Sequence, residues 1–187
     1  RRFRDEPVSD TLVDEILMAA FRAPTSSNIQ AYSVIKVKEP STRERLAAVA
    51  GGQQHVIDCP VFLAFCADMS RIEHAMRENG HDLADNNLEM GLVSSIDAAL
   101  VGMSAYVAAD SVGLKGVMIG ALRNNTRQTA EILGLPARVF AVFGMCLGYP
   151  GETPVQKPRM DFKALVHDER YDCLLYTSPS PETLLDL

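Results

Sequence analysis

Pro60-Val61-Phe62-Leu63-Ala64-Phe65-Cys66-Ala67 carries no charge and, after its proline, no polar side chain. A strand with one face in water alternates apolar and polar residues, whereas a run that is apolar at every position is buried on both faces. The run has strand length, so it reads as a central strand. A strand buried on both sides needs cover on both sides, which implies a sheet sandwiched between helices. Val139 to Leu147 is a second apolar strand, and it ends in the turn Gly148-Tyr149-Pro150-Gly151.

The flanks supply the helices. Ser9 can cap a helix whose apolar positions Leu12, Val13, Ile16, Leu17, Ala20 and Phe21 have helical spacing, with Pro24 as its stop. Ala31 to Lys38 is rich in β-branched residues and reads as a strand that Pro40 breaks. Ser41-Thr42-Arg43-Glu44 has the pattern of a capping box, opening a helix through Ala50 that Gly51-Gly52 ends. Asp68 to Gly80 reads as an exposed helix leading to a polar insert around His81 to Asn87. A long helix then runs to about Val112, apolar almost all round in its second half, so it lies in a core or between subunits. Gly116 to Ile119 is a short strand, and Asn125 or Thr126 caps a helix to Leu133. Strands and helices alternate without an internal repeat or a linker before residue 171, which gives a three-layer α+β or α/β domain.

The 187 residues suffice for one domain with a core that needs no disulfide or metal. The 18 Lys+Arg are outnumbered by 24 Asp+Glu, and no basic block stands out, so nucleic acid is not an expected partner. Cys59, Cys66, Cys146 and Cys173 form no C-x-x-C pair and read as reduced thiols, which points to the cytoplasm. His55, His74, His81 and His167 have no metal-ligand spacing and read as non-catalytic. The most apolar stretch, Leu88 to Ala109, is interrupted by Glu89, Ser94, Ser95, Asp97 and Ser104 and is not read as a membrane span.

No nucleophile elbow, P-loop, H-E-x-x-H or Gly-rich dinucleotide fingerprint is present. Four polar clusters remain, all following apolar elements. Thr25-Ser26-Ser27-Asn28-Ile29-Gln30 offers three hydroxyls and two amides; its plain reading is a solvated loop. Gly51-Gly52-Gln53-Gln54-His55 lets backbone approach closely, and an amide side chain there can meet an imide edge; its plain reading is a helix stop with solvent-facing Gln. Val117-Met118-Ile119-Gly120-Ala121 is a strand end whose backbone N–H groups could face a planar ligand. Lys157-Pro158-Arg159 holds two cations on a stiff spacer that could bracket a phosphate; otherwise it is a solvated turn.

In this order the segments resemble the nitroreductase-like flavoproteins, specifically the oxygen-insensitive NADPH nitroreductase and NADPH–flavin oxidoreductase branch. The matching motifs are Arg1-Arg2-Phe3 with Asp5-Glu6-Pro7-Val8-Ser9, then Ala23-Pro24-Thr25-Ser26-Ser27-Asn28-Ile29-Gln30, and Gly51-Gly52-Gln53-Gln54-His55-Val56. Phe65-Cys66-Ala67-Asp68, Ile119-Gly120-Ala121-Leu122-Arg123-Asn124 and Phe143-Gly144-Met145-Cys146-Leu147-Gly148-Tyr149-Pro150 follow. Lys157-Pro158-Arg159 and Val166-His167-Asp168-Glu169 complete the set.

The resemblance implies a three-layer α+β fold, with a mixed, mainly antiparallel sheet flanked by helices, in a domain-intertwined homodimer. It implies two FMN at the dimer interface and ping-pong chemistry, in which NADPH reduces FMN and the electrons pass to free flavin, a nitroaromatic or a quinone. Carried over by motif, Arg1 is the last arginine of an H-R-S-x-R phosphate motif. Thr25, Ser26, Ser27 and Asn28 lie at the flavin ring, and Gln53 is the ring-edge amide. Met118, Ile119, Gly120 and Ala121 run beside the isoalloxazine, and Lys157 and Arg159 are the basic pair at phosphate and ring. No side-chain acid or base is required, because the cofactor does the chemistry.

Three departures accompany the match. The rest of the phosphate motif would precede Arg1, so residues 1–171 are expected to be an N-terminally truncated FMN-binding domain. Met118-Ile119-Gly120-Ala121 stands where the family has Tyr-Ile-Gly-Gly, and the Ala121 methyl is expected to crowd or retune the flavin. Residues 172–187 read as a non-family, artefactual tail in place of a helical extension. The competing reading is a flavin-binding protein with little reductase turnover: a carrier, a sensor or a truncated product.

Overall fold

The Ser9 hydroxyl opens the first helix, α1 (Asp10–Ala20), by accepting the Leu12 N–H at 3.2 Å, the cap that the sequence implies. The structure, a computed structural model, describes residues 1–83 and 87–171. The middle of the polar insert (84–86) and the expected tail (172–187) lie outside the described residues. Two compact units are present, Arg1–Glu152 and Thr153–Leu187. In the second, Asp161 caps the short helix α7 (Phe162–Leu165), which the sequence reading missed.

In the first unit α1 is followed by β1 (Tyr32–Val37), α2 (Pro40–Val49), α3 (Gln54–Asp58), β2 (Val61–Asp68) and α4 (Ser70–Glu78). Then come α5 (Leu88–Ser111), β3 (Lys115–Ile119), α6 (Thr126–Leu133) and β4 (Val139–Gly148). The strands form one sheet in the order β1-β2-β4-β3, and all its pairings are antiparallel. All of β2 is buried, as its uninterrupted apolar run requires. Val61, Leu63 and Phe65 point to a core shared with α1 and α5, while Phe62, Ala64 and Cys66 point to one shared with α2 and α3. This alternation produces the three layers.

The β2–β4 register shifts at Phe65/Cys66: Phe65 pairs with Phe143 but Cys66 with Ala141. Val142 is the extra residue, and its carbonyl accepts a hydrogen bond from the Arg123 guanidinium. The bulge explains why Phe143 and Ala141, two apart in sequence, serve opposite cores.

The capping box at Ser41 does not form. Pro40 occupies the first helical turn and Glu39 is the N-cap, its carbonyl accepting from Thr42 and Arg43. Proline lacks the N–H that a first turn leaves unpaired anyway, so the helix starts earlier than the box predicts. Gly51 and Gly52 end α2 with φ of +77° and +75°, a region closed to most other residues. Asn125, rather than Thr126, caps α6.

Among the described residues α5 is the one helix long and apolar enough to cross a membrane. Here it packs on the sheet through Ala98, Val101, Ala105 and Ala109, all fully buried. Its other face leaves Leu92, Ile96, Leu100, Met103 and Val107 exposed. Cys59, Cys66 and Cys146 are free and buried, and burial pushes the Cys66 thiol up to about 12.

Candidate functional site

The segment after α1 is more constrained than a solvated loop. A single 3-10 turn spans Ser26–Asn28, and Ser27, Asn28 and Gln30 have φ of +48°, +55° and +54°. Non-glycine residues rarely hold such angles unless their surroundings impose them. Ser26, Ser27 and Asn28 are exposed and Thr25 is half-buried, so the hydroxyls and amides are presented outward.

Gln53 is half-buried at the start of α3, and its Nε2 donates to Ala50 O at 2.9 Å. That bond fixes the side chain and leaves Oε1 to accept from an outside donor such as an imide N–H. Met118 and Ile119 end β3, and Gly120 and Ala121 begin the 3-10 turn Gly120–Asn125. Among the described residues β3 is the last strand of the sheet and pairs on one side only. Met118 is exposed, whereas Ile119 anchors the segment in the second core. Asn124 ties the turn to the end of α2 through Val49 O at 3.5 Å, so the Gln53 and Met118–Ala121 segments belong to one side of the sheet.

Arg1 has an exposed side chain, and its amine donates to Glu152 Oε1 at 3.1 Å. His55, two residues on from Gln53, has a buried Nε2 without a hydrogen-bond partner among the described residues. Burial, and after it the Arg1 guanidinium, holds this imidazole below its ordinary value. An exposed Arg1 guanidinium and a Gln53 Oε1 left to accept from an imide are the cation and the acceptor that a phosphorylated flavin such as FMN needs. In the second unit Lys157 and Arg159 are exposed, and Arg159 donates to the carbonyls of Lys157 and Pro158, each at 3.1 Å.

Thr25–Asn28 is not gathered with Gln53 and Met118–Ala121. Ile119 pairs with Gly144, Gly144 with Ala64, and Ala64 with Ile35. Tyr32, where the loop enters the sheet, lies three residues along β1 from Ile35. At about 4.8 Å per strand and about 3.4 Å per residue, Tyr32 and Ile119 are roughly 18 Å apart. The two clusters therefore belong to opposite edges of the sheet.

Sequence reasoning assigns no role to Asp97, Asp68 or Arg71. Asp97 accepts from Ser26 N at 2.9 Å and from Ala31 N at 3.0 Å, and Arg71 donates to Gln30 O at 3.0 Å. The signal in the sequence is a lone carboxylate in the middle of an apolar helix. Burial pushes the Asp68 carboxyl up, but the Ser33 and Ser70 hydroxyls, the Ser70 N–H and Arg71 outweigh it and hold the group below the usual range. Among the described residues no group of three or more His, Cys, Asp or Glu is placed to hold a metal.

A family profile described as the Nitroreductase family matches residues 1–149. The oxygen-insensitive NADPH nitroreductase of Salmonella typhimurium is 39% identical over 174 residues, covering 93% of this chain and 71% of the relative. The NADPH-flavin oxidoreductase of Vibrio harveyi is 37% identical over 171 residues, covering 91% and 70%. Among solved structures, NfrA1 of B. megaterium superposes with a TM-score of 0.88 at 37% identity, covering all of this chain and 74% of that one. The NADPH:FMN oxidoreductase from Vibrio harveyi complexed with NAD+ gives 0.88 at 34%, covering 100% and 77%.

Proposed function

Because the chain belongs to the Nitroreductase family, we propose that it is an FMN-dependent, NADPH-using oxidoreductase, with its flavin site completed by a second copy of itself. FMN held there would supply hydride chemistry, by which electrons from NADPH would pass in ping-pong order to a nitroaromatic, a quinone or free flavin.

The chain's own residues have the following roles in this reading. Arg1 meets the phosphate end, with the buried His55 imidazole within its electrostatic reach. Gln53 offers Oε1 to the imide edge, and the Met118–Ala121 backbone lies beside the ring. Lys157 and Arg159 enter on the resemblance alone, as cations that favour an anionic group. Thr25, Ser26, Ser27 and Asn28 come to the ring from the partner copy.

The observation that carries this reading is the separation of the site segments. One chain holds the Thr25–Asn28 and Met118–Ala121 clusters at opposite edges of its sheet, so a ring that touches both needs two chains. The exposed apolar stripe of α5 supplies the surface for pairing. The free buried thiols accord with a cytoplasmic setting.

Reconstitution with FMN, gel filtration and sedimentation test it. A yellow dimer that oxidises NADPH in the presence of a quinone or nitroaromatic is expected. A colourless protein that FMN cannot reconstitute, or a flavin-loaded monomer, would overturn it.

A further inference from the structure

Asp97 stands halfway along α5, fully buried; of the helix's other buried residues only Ser94 is polar, and its hydroxyl donates to the helix's own carbonyls. A buried carboxylate is costly unless its oxygens are hydrogen-bonded. Here one oxygen accepts Ser26 N–H at 2.9 Å and the other accepts Ala31 N–H at 3.0 Å. The two donors bracket the loop that carries the positive φ angles at Ser27, Asn28 and Gln30.

Arg71 grips the end of the same loop by its backbone carbonyls. Its Nη2 donates to Gln30 O at 3.0 Å and to Tyr32 O, while its Nη1 is held by Ser33 Oγ at 2.7 Å and Asp68 Oδ2 at 2.8 Å. Both terminal nitrogens are thus engaged by the protein itself. This is the geometry of a brace rather than of a ligand cation.

We infer that Asp97 is a positioning residue, whose two oxygens, opposed by Arg71, clamp residues 26–31 in the shape that presents Ser26, Ser27 and Asn28 to the flavin. The assignment rests on the reading of that loop as part of the FMN site. The clamp requires a carboxylate, because it points two acceptors at two N–H donors; an amide has one acceptor and would set its own NH2 against the second donor. Ile96, the next residue, is on the exposed stripe of α5, so the same helix turn holds the loop inside and meets the partner copy outside.

The test uses the full chain, with two readouts: backbone amide exchange without FMN and FMN affinity by fluorescence titration. Asp97→Asn keeps the side-chain volume. It is expected to speed exchange in residues 26–31 at least tenfold, to leave β2 protected, and to raise the FMN Kd by about 10- to 100-fold. Arg71→Met, at the surface, reports on the same loop should Asp97→Asn fail to fold, with an expected rise of about 3- to 10-fold. Asp110→Asn, on the exposed end of the same helix, is expected to match wild type in both.

Unchanged exchange in residues 26–31 overturns the clamp. A loosened loop with an FMN Kd within twofold of wild type overturns the positioning role. In both cases wild type still binds FMN, so the functional reading stands. If wild type binds no FMN, that reading falls and the positioning role falls with it.

Discussion

Gly102 lies on the inner face of α5, where a Cβ would come 2.4 Å from Phe143 Cζ, 2.9 Å from its Cε2 and 3.5 Å from Phe65 Cδ1. Gly102→Ala therefore sets two opposed effects against each other. In an isolated helix alanine is better than glycine by about 1 kcal/mol. In this packing the methyl is far inside the ~3.5–4.0 Å at which carbon atoms attract. The Phe143 ring is stacked on Phe65 with centroids 5.1 Å apart, and both are buried, so neither can swing into solvent. Overpacking of such a core typically costs about 1–3 kcal/mol, occasionally more. A 2.4 Å approach puts the clash in the upper part of that range, about 2–3 kcal/mol, so after the propensity gain of about 1 kcal/mol the net loss is about 1–2 kcal/mol. Urea unfolding of the FMN-free protein at fixed concentration should show the midpoint falling by about 0.5–1 M with m unchanged. Adding Phe143→Leu should recover part of the loss, as a coupling in a double-mutant cycle. If Gly102→Ala is as stable as wild type, α5 does not rest against Phe143 as described, and the packing argument is wrong.

Ile96→Asp places a charge on the exposed stripe of α5; it should give a folded monomer by sedimentation, with FMN occupancy lost, and a flavin-loaded dimer would refute the pairing surface. Arg159→Ala is expected to weaken FMN binding more than Gln53→Ala, because a cation facing an anionic ligand contributes more than a neutral amide; equal losses in a titration would show that Arg159 is simply solvated. His55 is held below its ordinary 6.5 by burial and then by Arg1, so the unfolded chain takes up a proton that the folded one refuses. Stability should therefore fall as pH drops from about 7 towards 5, and His55→Gln should flatten that slope in a thermal series; an unchanged slope would refute the assignment. Asp68 is depressed below 3.8, so the stability it gives is present above that value and lost only at lower pH, as the folded carboxyl protonates.

Much of the fold was legible in the chain because it depends on local pattern. The uninterrupted apolar run at Val61–Ala67 required burial on both faces, and β2 has it. Ser9 and Asn125 cap the helices that their spacing implies, since a cap needs only a side-chain oxygen within reach of nearby N–H groups. The site's chemical types were legible too, as hydroxyls, amides and cations in loops after apolar elements. Their relation in space was not. That Thr25–Asn28 and Met118–Ala121 fall at opposite edges follows from the strand order β1-β2-β4-β3, a product of long-range pairing that no local signal encodes. Asp97 shows the same limit at a single residue. Its partners, Ser26 and Ala31, are 71 and 66 residues away, so along the chain it interrupts an apolar helix. Only the packing of α5 against the loop brings two backbone donors to its oxygens and makes a buried charge tolerable.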